Sequence, residues 1–224
     1  DRRLLKTHST FVFRNDLIWL AAWLFLSPLL RAQESAWRYT REELLGQFSY
    51  AAHPDFERVQ PAFGMDKARV YYLRKATNAA FEKMQAAAQA EGVLLRIISA
   101  SRNFDDQKAI WERKWKSLSH LNSAQERALT ILEYSSMPGT SRHHWGTDMD
   151  LNALDNAYFD SGEGKKTYDW LLKNAHRFGF YQPYTPLNIS RPTGYKEEKW
   201  HWSYLPIAHQ MLSEYRQRVR LRDL

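Results

Sequence analysis

The sequence contains no cysteine. A disulfide framework and thiolate metal ligands are therefore both excluded, and any metal must be held by histidines and carboxylates. The same absence fits an oxidising or a reducing compartment. There is no internal repeat and no low-complexity linker to divide the chain. There is also no basic cluster or recognisable nucleic-acid motif, which argues against nucleic-acid binding despite a formal net charge of +7. The longest apolar run, Leu17 to Leu30, has fourteen residues. A membrane-spanning helix needs about 20.

The 224 residues, 44% hydrophobic and 25% charged, suffice for one globular domain with a substantial core. Nine Trp, twelve Tyr and eleven Phe serve either core packing or a groove that grips a flexible polymer. Arg2, Arg3, Lys6, Arg14 and Arg31 against Asp1 and Asp16 put +3 in residues 1–32 and leave +4 for the rest. That modest excess suits an anionic partner such as a cell-wall polymer or a membrane surface. Basic residues ahead of the apolar run, and Leu30-Arg31-Ala32 after it, resemble a signal peptide cleaved near Ala32. A retained membrane anchor and a buried amphipathic helix are the alternatives. The expected organisation is an export segment or anchor at 1–32 and a single domain at 33–224.

Pro54 and Pro61 predict an irregular stretch over 33–65. Asp66 is a candidate cap for a helix from Lys67 to Ala90, with Val70, Leu73, Ala76, Ala80, Phe81 and Met84 at helical spacing and Gly92 as terminator. Strands are expected at Val93–Ser99, Thr147–Leu151, Phe180–Gln182 and Trp200–Tyr204. Helices are expected at Phe104–Leu118, Ser123–Tyr134, Glu163–Phe178 and Pro206–Val219. Pro138, Gly139 and Gly146 mark 135–146 as a loop. The fold class is α+β, a small antiparallel sheet flanked by helices.

Two segments stand out: Ser141-Arg142-His143-His144-Trp145-Gly146-Thr147-Asp148-Met149-Asp150 and Glu198-Lys199-Trp200-His201-Trp202. Catalytic zinc needs about three protein ligands and an open position for water. His143 and Asp150 flank a loop-to-strand transition, with Gly146 giving the backbone freedom to turn, and His201 arrives from a later strand. Glu198 is the candidate general base, passing a proton from the attacking water to the leaving amine. Residues three apart on a regular strand face opposite ways, so Glu198 must lie in the turn before the strand or at a bulge. Asp148 competes with Asp150, since positions i and i+2 share a strand face. Each of these histidines, taken alone, is more often a core or surface residue than a ligand. Trp200 and Trp202, and likewise Trp111 and Trp115 on one helix face, most simply pack.

Ser-x-His-x-x-Gly-x-x-x-Asp followed by Glu-x-Trp-His resembles the VanY-type zinc D-alanyl-D-alanine carboxypeptidases, within the wider lysostaphin-like, D-Ala-D-Ala and hedgehog-like group. The resemblance covers about residues 95–205. It implies one zinc ion on His143, Asp150 and His201, with Glu198 as catalytic base. Ser101-Arg102-Asn103 and Gln107 stand where the family has an arginine turn followed by a glutamine. The resemblance therefore implies that Arg102 steadies the developing oxyanion or substrate carbonyls, and that Gln107 and Ser141 contact substrate. The chain departs from the pattern at Asp148, where Ala is usual, and at Asn103, where Ser is usual. An acid at 148 can alter metal preference, bind a substrate amine or face away.

What the resemblance implies is a peptidase of peptidoglycan stem peptides outside the cytoplasm, removing the terminal D-Ala. An L-Ala-D-Glu or cross-bridge endopeptidase of the same fold is one rival. A zinc-binding module without catalysis is another, and Glu198 argues against it because a structural site needs no proton shuttle.

Overall fold

The computed structural model describes residues 37–224, and the expected export segment lies outside the described residues. The unit from Tyr39 to Leu224 contains a four-stranded antiparallel sheet and a separate two-stranded ribbon, with helices around them. The α+β expectation holds.

The ribbon pairs β1 (Phe56–Arg58) with β2 (Tyr72–Arg74). The main sheet has β3 (Ile97–Ser99), β4 (Asp148–Leu151), β5 (Phe180–Tyr181) and β6 (His201–Tyr204), in the order β3-β4-β6-β5. Helices α1 (Arg41–Leu45), α2 (Lys75–Ala90), α3 (Phe104–Ser117), α4 (Ala124–Leu132), α5 (Gly162–Asn174) and α6 (Leu205–Arg218) complete the unit.

Local sequence explains most of these elements. In α2, alanines and long side chains favour helix, and Phe81, Met84 and Ala88 recur on one fully buried face. Asn103 caps α3: its side chain accepts from the Asp106 backbone N–H while Asp106 reaches back, a complete capping box. Asn and Ser are comparable N-caps, so the departure at Asn103 keeps the helix start intact. Lys114 and Lys116 lie in the last turn of α3, where they complement the helix dipole.

Several boundaries differ from the sequence expectation. The helix expected from Lys67 begins at Lys75. Val70 is 53% exposed, and Asp66 caps only a local turn through the Ala68 N–H. Residues 72–74 are drawn into the ribbon, because pairing with 56–58 satisfies their backbone while burying Leu73. The stretch read as irregular therefore holds a strand, and also α1, whose Thr40–Glu43 capping box makes a five-residue helix. The strand expected from Val93 shortens to Ile97–Ser99. The loop at 135–146 closes with a 3-10 turn at Arg142–Trp145, and α5 gives way to another at Ala175–Phe178.

The sheet has one face toward the core and one toward a cavity. Met149 and Leu151 of β4 and Trp202 of β6 join Leu73, Phe81, Leu95, Phe180 and others in the main core. The alternate residues, Asp148 and Asp150 on β4 and His201 and Ser203 on β6, lie on the opposite face. Register pairs Asp150 with His201 and Asp148 with Ser203. A period of two thus sorts apolar from reactive side chains. Trp202 packs as expected, whereas Trp200 lines the cavity. Trp115 lies under the Arg127 guanidinium, 4.9 Å from it.

Candidate metal and catalytic site

His143 sits in the 3-10 turn that leads into β4. Ser141 caps that turn, its Oγ accepting from the His143 N–H. Gly146 ends the turn at φ 70°, and a Cβ there would stand 2.2 Å from the Phe56 ring. Both the backbone conformation and the space demand glycine. The chain then enters β4, which places Asp150 beside His201 on the neighbouring strand.

The three side chains converge. Donor atoms of His143, Asp150 and His201 all lie within 4.8 Å of one another, and all three residues are buried. Asp150 Oδ1 is 3.1 Å from His201 Nδ1 and 3.4 Å from His143 Nε2, yet it accepts no hydrogen bond. Tetrahedral coordination at about 2.0–2.1 Å sets ligand atoms roughly 3.3 Å apart. The two Asp150 distances match the spacing of ligands that share a cation.

The far side of each ring agrees. His143 Nδ1 lies 2.7 Å from the Ala100 carbonyl. A carbonyl only accepts, so Nδ1 carries the proton and the Nε2 lone pair points into the site. His201 Nε2 lies 2.8 Å from Asp148 Oδ2, which in the same way leaves Nδ1 for the site. Burial alone would raise the Asp150 carboxyl, but the two imidazoles hold it well below the carboxylate range. Burial opposes protonation of His201, but Asp148 and Asp150 on either side raise it to about 9. A divalent cation would take over the charge that this proton supplies. Burial, reinforced by the Arg102 guanidinium, lowers His143, which keeps it neutral and able to ligate.

Glu198 stands in the turn before β6, its carbonyl accepting from the His201 N–H. This removes the strand-parity difficulty. Glu198 Oε2 lies 3.4 Å from His201 Nδ1, beside the three donors. Burial is the main cause that raises its pKa, to about 7, with Asp150 adding and His201, Arg102 and Lys114 opposing. A carboxylate poised there can both take and return a proton.

These groups open onto a cavity of about 1050 Å³. Arg102 lines it, with a buried Nε that has no hydrogen-bond partner. Lys114 lines it too, bonded to Ser135, and burial lowers its pKa. Ser141 also faces the cavity, whereas Gln107 stands behind the wall. Gln107 is 1% exposed and donates to the carbonyl of Ser136, itself a lining residue.

Sequence reasoning missed two supports. His144 is buried, and its Nδ1 lies 2.6 Å from the Arg102 carbonyl while Nε2 accepts from the Gly139 N–H. Burial keeps it neutral, lowering its pKa to about 4. It ties the arginine turn to the loop before Ser141. Tyr184 packs its ring 4.8 Å from that of His201. Neither contact has a sequence signal, because both join segments that only the fold brings together.

A second His/carboxylate group, Glu43, His53 and Asp55, lies in the same unit. It already has a cation: Arg74 donates to Glu43 at 2.7 Å and to Asp55 at 3.0 Å.

A buried carboxylate between two imidazoles, with a second carboxylate beside them, is the donor set of a metallohydrolase centre. The chain belongs to the VanY D-alanyl-D-alanine carboxypeptidase family, whose model matches residues 70–207. It is 35% identical over 124 residues to a D-alanyl-D-alanine carboxypeptidase of Enterococcus faecalis, covering 54% of this chain and 44% of that one. The chain spans about half the length of the curated relatives it matches. Two solved structures are 29% identical to it. A mutant of the vancomycin-resistance D,D-pentapeptidase VanY in complex with Zn(II) matches at TM-score 0.51, covering 68% of this chain and 83% of that one. VanYB in complex with D-alanine-D-alanine matches at TM-score 0.54, covering 75% and 92%.

Proposed function

We propose that this chain is a zinc-dependent peptidase of peptidoglycan stem peptides that removes the terminal D-Ala from a D-Ala-D-Ala end. One zinc ion would be held by His143, Asp150 and His201. The observation that carries this reading is the orphaned Asp150 Oδ1 between two imidazole nitrogens, with Glu198 beside them. Family membership, the zinc-bound relative and the relative holding D-alanine-D-alanine support it.

A zinc ion held by His143, Asp150 and His201 would supply Lewis-acid chemistry to the attacking water and the scissile carbonyl. Glu198 removes a proton from the attacking water and delivers it to the nitrogen of the departing D-Ala as the C–N bond breaks. Arg102 supplies fixed positive charge where the carbonyl oxygen becomes an oxyanion. Ser141 contributes a polar group at the cavity wall and Gln107 acts through the Ser136 carbonyl it holds. Lys114 offers a cation to the terminal carboxylate. Trp200 and Tyr184 line the same cavity and limit water near the ligands.

A substrate of this class lies outside the cytoplasm, which supports export to the periplasm or cell envelope. The N-terminal segment would be cleaved or kept as an anchor, and any membrane association would run through it. Among the described residues no helix is long and apolar enough to cross a membrane. Nucleic acid is not a partner in this reading.

Digestion of defined pentapeptide muropeptides, read by mass spectrometry, tests the reading. Loss of a single alanine is expected. Cleavage inside the stem or cross-bridge would replace it with an endopeptidase, and no cleavage by the zinc-loaded protein would overturn it.

A further inference from the structure

Asp148, the acid that departs from the family pattern, is fully buried and saturated. Its Oδ2 accepts from Arg142 Nε at 2.7 Å and faces His201 Nε2 at 2.8 Å. Its Oδ1 accepts from Thr147 Oγ1 at 2.6 Å and Ser203 Oγ at 2.8 Å. Arg142 Nη2 also donates to Ser203 Oγ at 2.6 Å, closing the network. A carboxylate has about four lone-pair sites, and all are occupied. Asp148 is therefore left no free lone pair for a metal ion or a substrate amine.

We propose that Asp148 and Arg142 form a buried positioning pair that locks His201 with its proton on Nε2 and so presents Nδ1 to the metal. The proposal rests on the zinc reading above. An imidazole has two nitrogens, and a ligand must offer a chosen one in a fixed plane. A carboxylate behind the ring fixes both tautomer and orientation. Placing a further carboxylate near Asp150 and Glu198 would overload the pocket with negative charge. Arg142 offsets it, because its guanidinium donates directly to Asp148 and its side chain is only 14% exposed. The pair is thus internally neutral, and a divalent cation is balanced by Asp150 and Glu198 alone. The Arg142 guanidinium is itself fixed by stacking 5.2 Å from the Trp145 ring.

The test compares two double variants that both lack the buried arginine charge. Arg142→Met/Asp148→Asn keeps an oxygen able to accept from Nε2–H, while Arg142→Met/Asp148→Ala removes it. Replacing the ion pair in both avoids an unpaired buried charge that would unfold the protein. Zinc affinity of the metal-free proteins is measured by competition with a chromophoric chelator. The imidazole Nε2–H of His201 is followed by proton–nitrogen NMR of the zinc-loaded forms. The Ala variant is expected to bind zinc about 10–100-fold more weakly than the Asn variant and to lose the exchange-protected Nε2–H signal. Equal affinities with the signal unchanged would overturn the proposal. Failure of the unmodified protein to bind zinc would overturn the functional reading first, so the two failures are distinguishable.

Discussion

Two clusters in this molecule pair histidine with carboxylates, and they have opposite fates. Glu43, His53 and Asp55 surround Arg74, which donates to both acids and also to the Trp145 carbonyl. Asp55 in that cluster is largely exposed. His143, Asp150 and His201 are buried throughout, and among the described residues no lysine or arginine hydrogen-bonds to Asp150, whose Oδ1 is left without a hydrogen bond. Similar residue types therefore make a structural ion-pair knot in one place and, in the proposed reading, a metal pocket in the other. What separates them is whether the fold itself supplies the positive charge.

The sharpest way to break this comparison is to remove one histidine from each cluster. His143→Ala is expected to abolish stoichiometric zinc binding and peptidase activity, measured by metal analysis and substrate turnover. Next in size, Glu198→Ala should keep its zinc but lose about 10²–10⁴-fold in kcat/KM, the usual contribution of a general acid–base group. Parental turnover in that variant would favour a non-catalytic zinc module or another base. Arg74→Met should leave zinc affinity intact while costing about 3 kcal/mol in denaturant unfolding, because Glu43 is left buried without its partner. A milder effect follows from pH. Glu198 acts as base only when ionised, so kcat/KM should rise with pH through its pKa and then level. Burial puts that pKa at about 7 without metal. A nearby divalent cation favours the carboxylate, so the acid limb of the zinc enzyme should fall below 7. Smallest of all, His53→Ala should leave zinc content and turnover unchanged.

Much of the site was legible because its chemistry is carried by local spacing. Ser141, His143, Gly146 and Asp150 lie within one short segment, where the cap, the turn and the strand entry each demand a particular residue type. Strand alternation then sorted Met149 and Leu151 from Asp148 and Asp150. Helix limits were legible where caps exist, as at Asn103 and Ser123, whose side chains accept from the third residue of each helix. They were misread at Lys67, because an apolar spacing of three and four does not reveal that 72–74 find a strand partner at 56–58. The tie from His144 to the Arg102 carbonyl was invisible for the same reason, since it spans |i−j| = 42.

The sequence by itself determined the donor types available and the α+β class, and it narrowed the candidate metal ligands to two histidines and one of two acids. Without thiols, and with two motifs rich in histidine and acid, few other chemistries were open. Only the tertiary structure showed where the hydrogen bonds of Asp148 go. Two acids on one strand face are equivalent in sequence. In the fold, Arg142, Thr147, Ser203 and His201 saturate the first, while Asp150 Oδ1 faces two imidazole nitrogens without a hydrogen bond. Long-range packing sets which carboxylate already has its donors and, in the proposed reading, leaves the other for a metal.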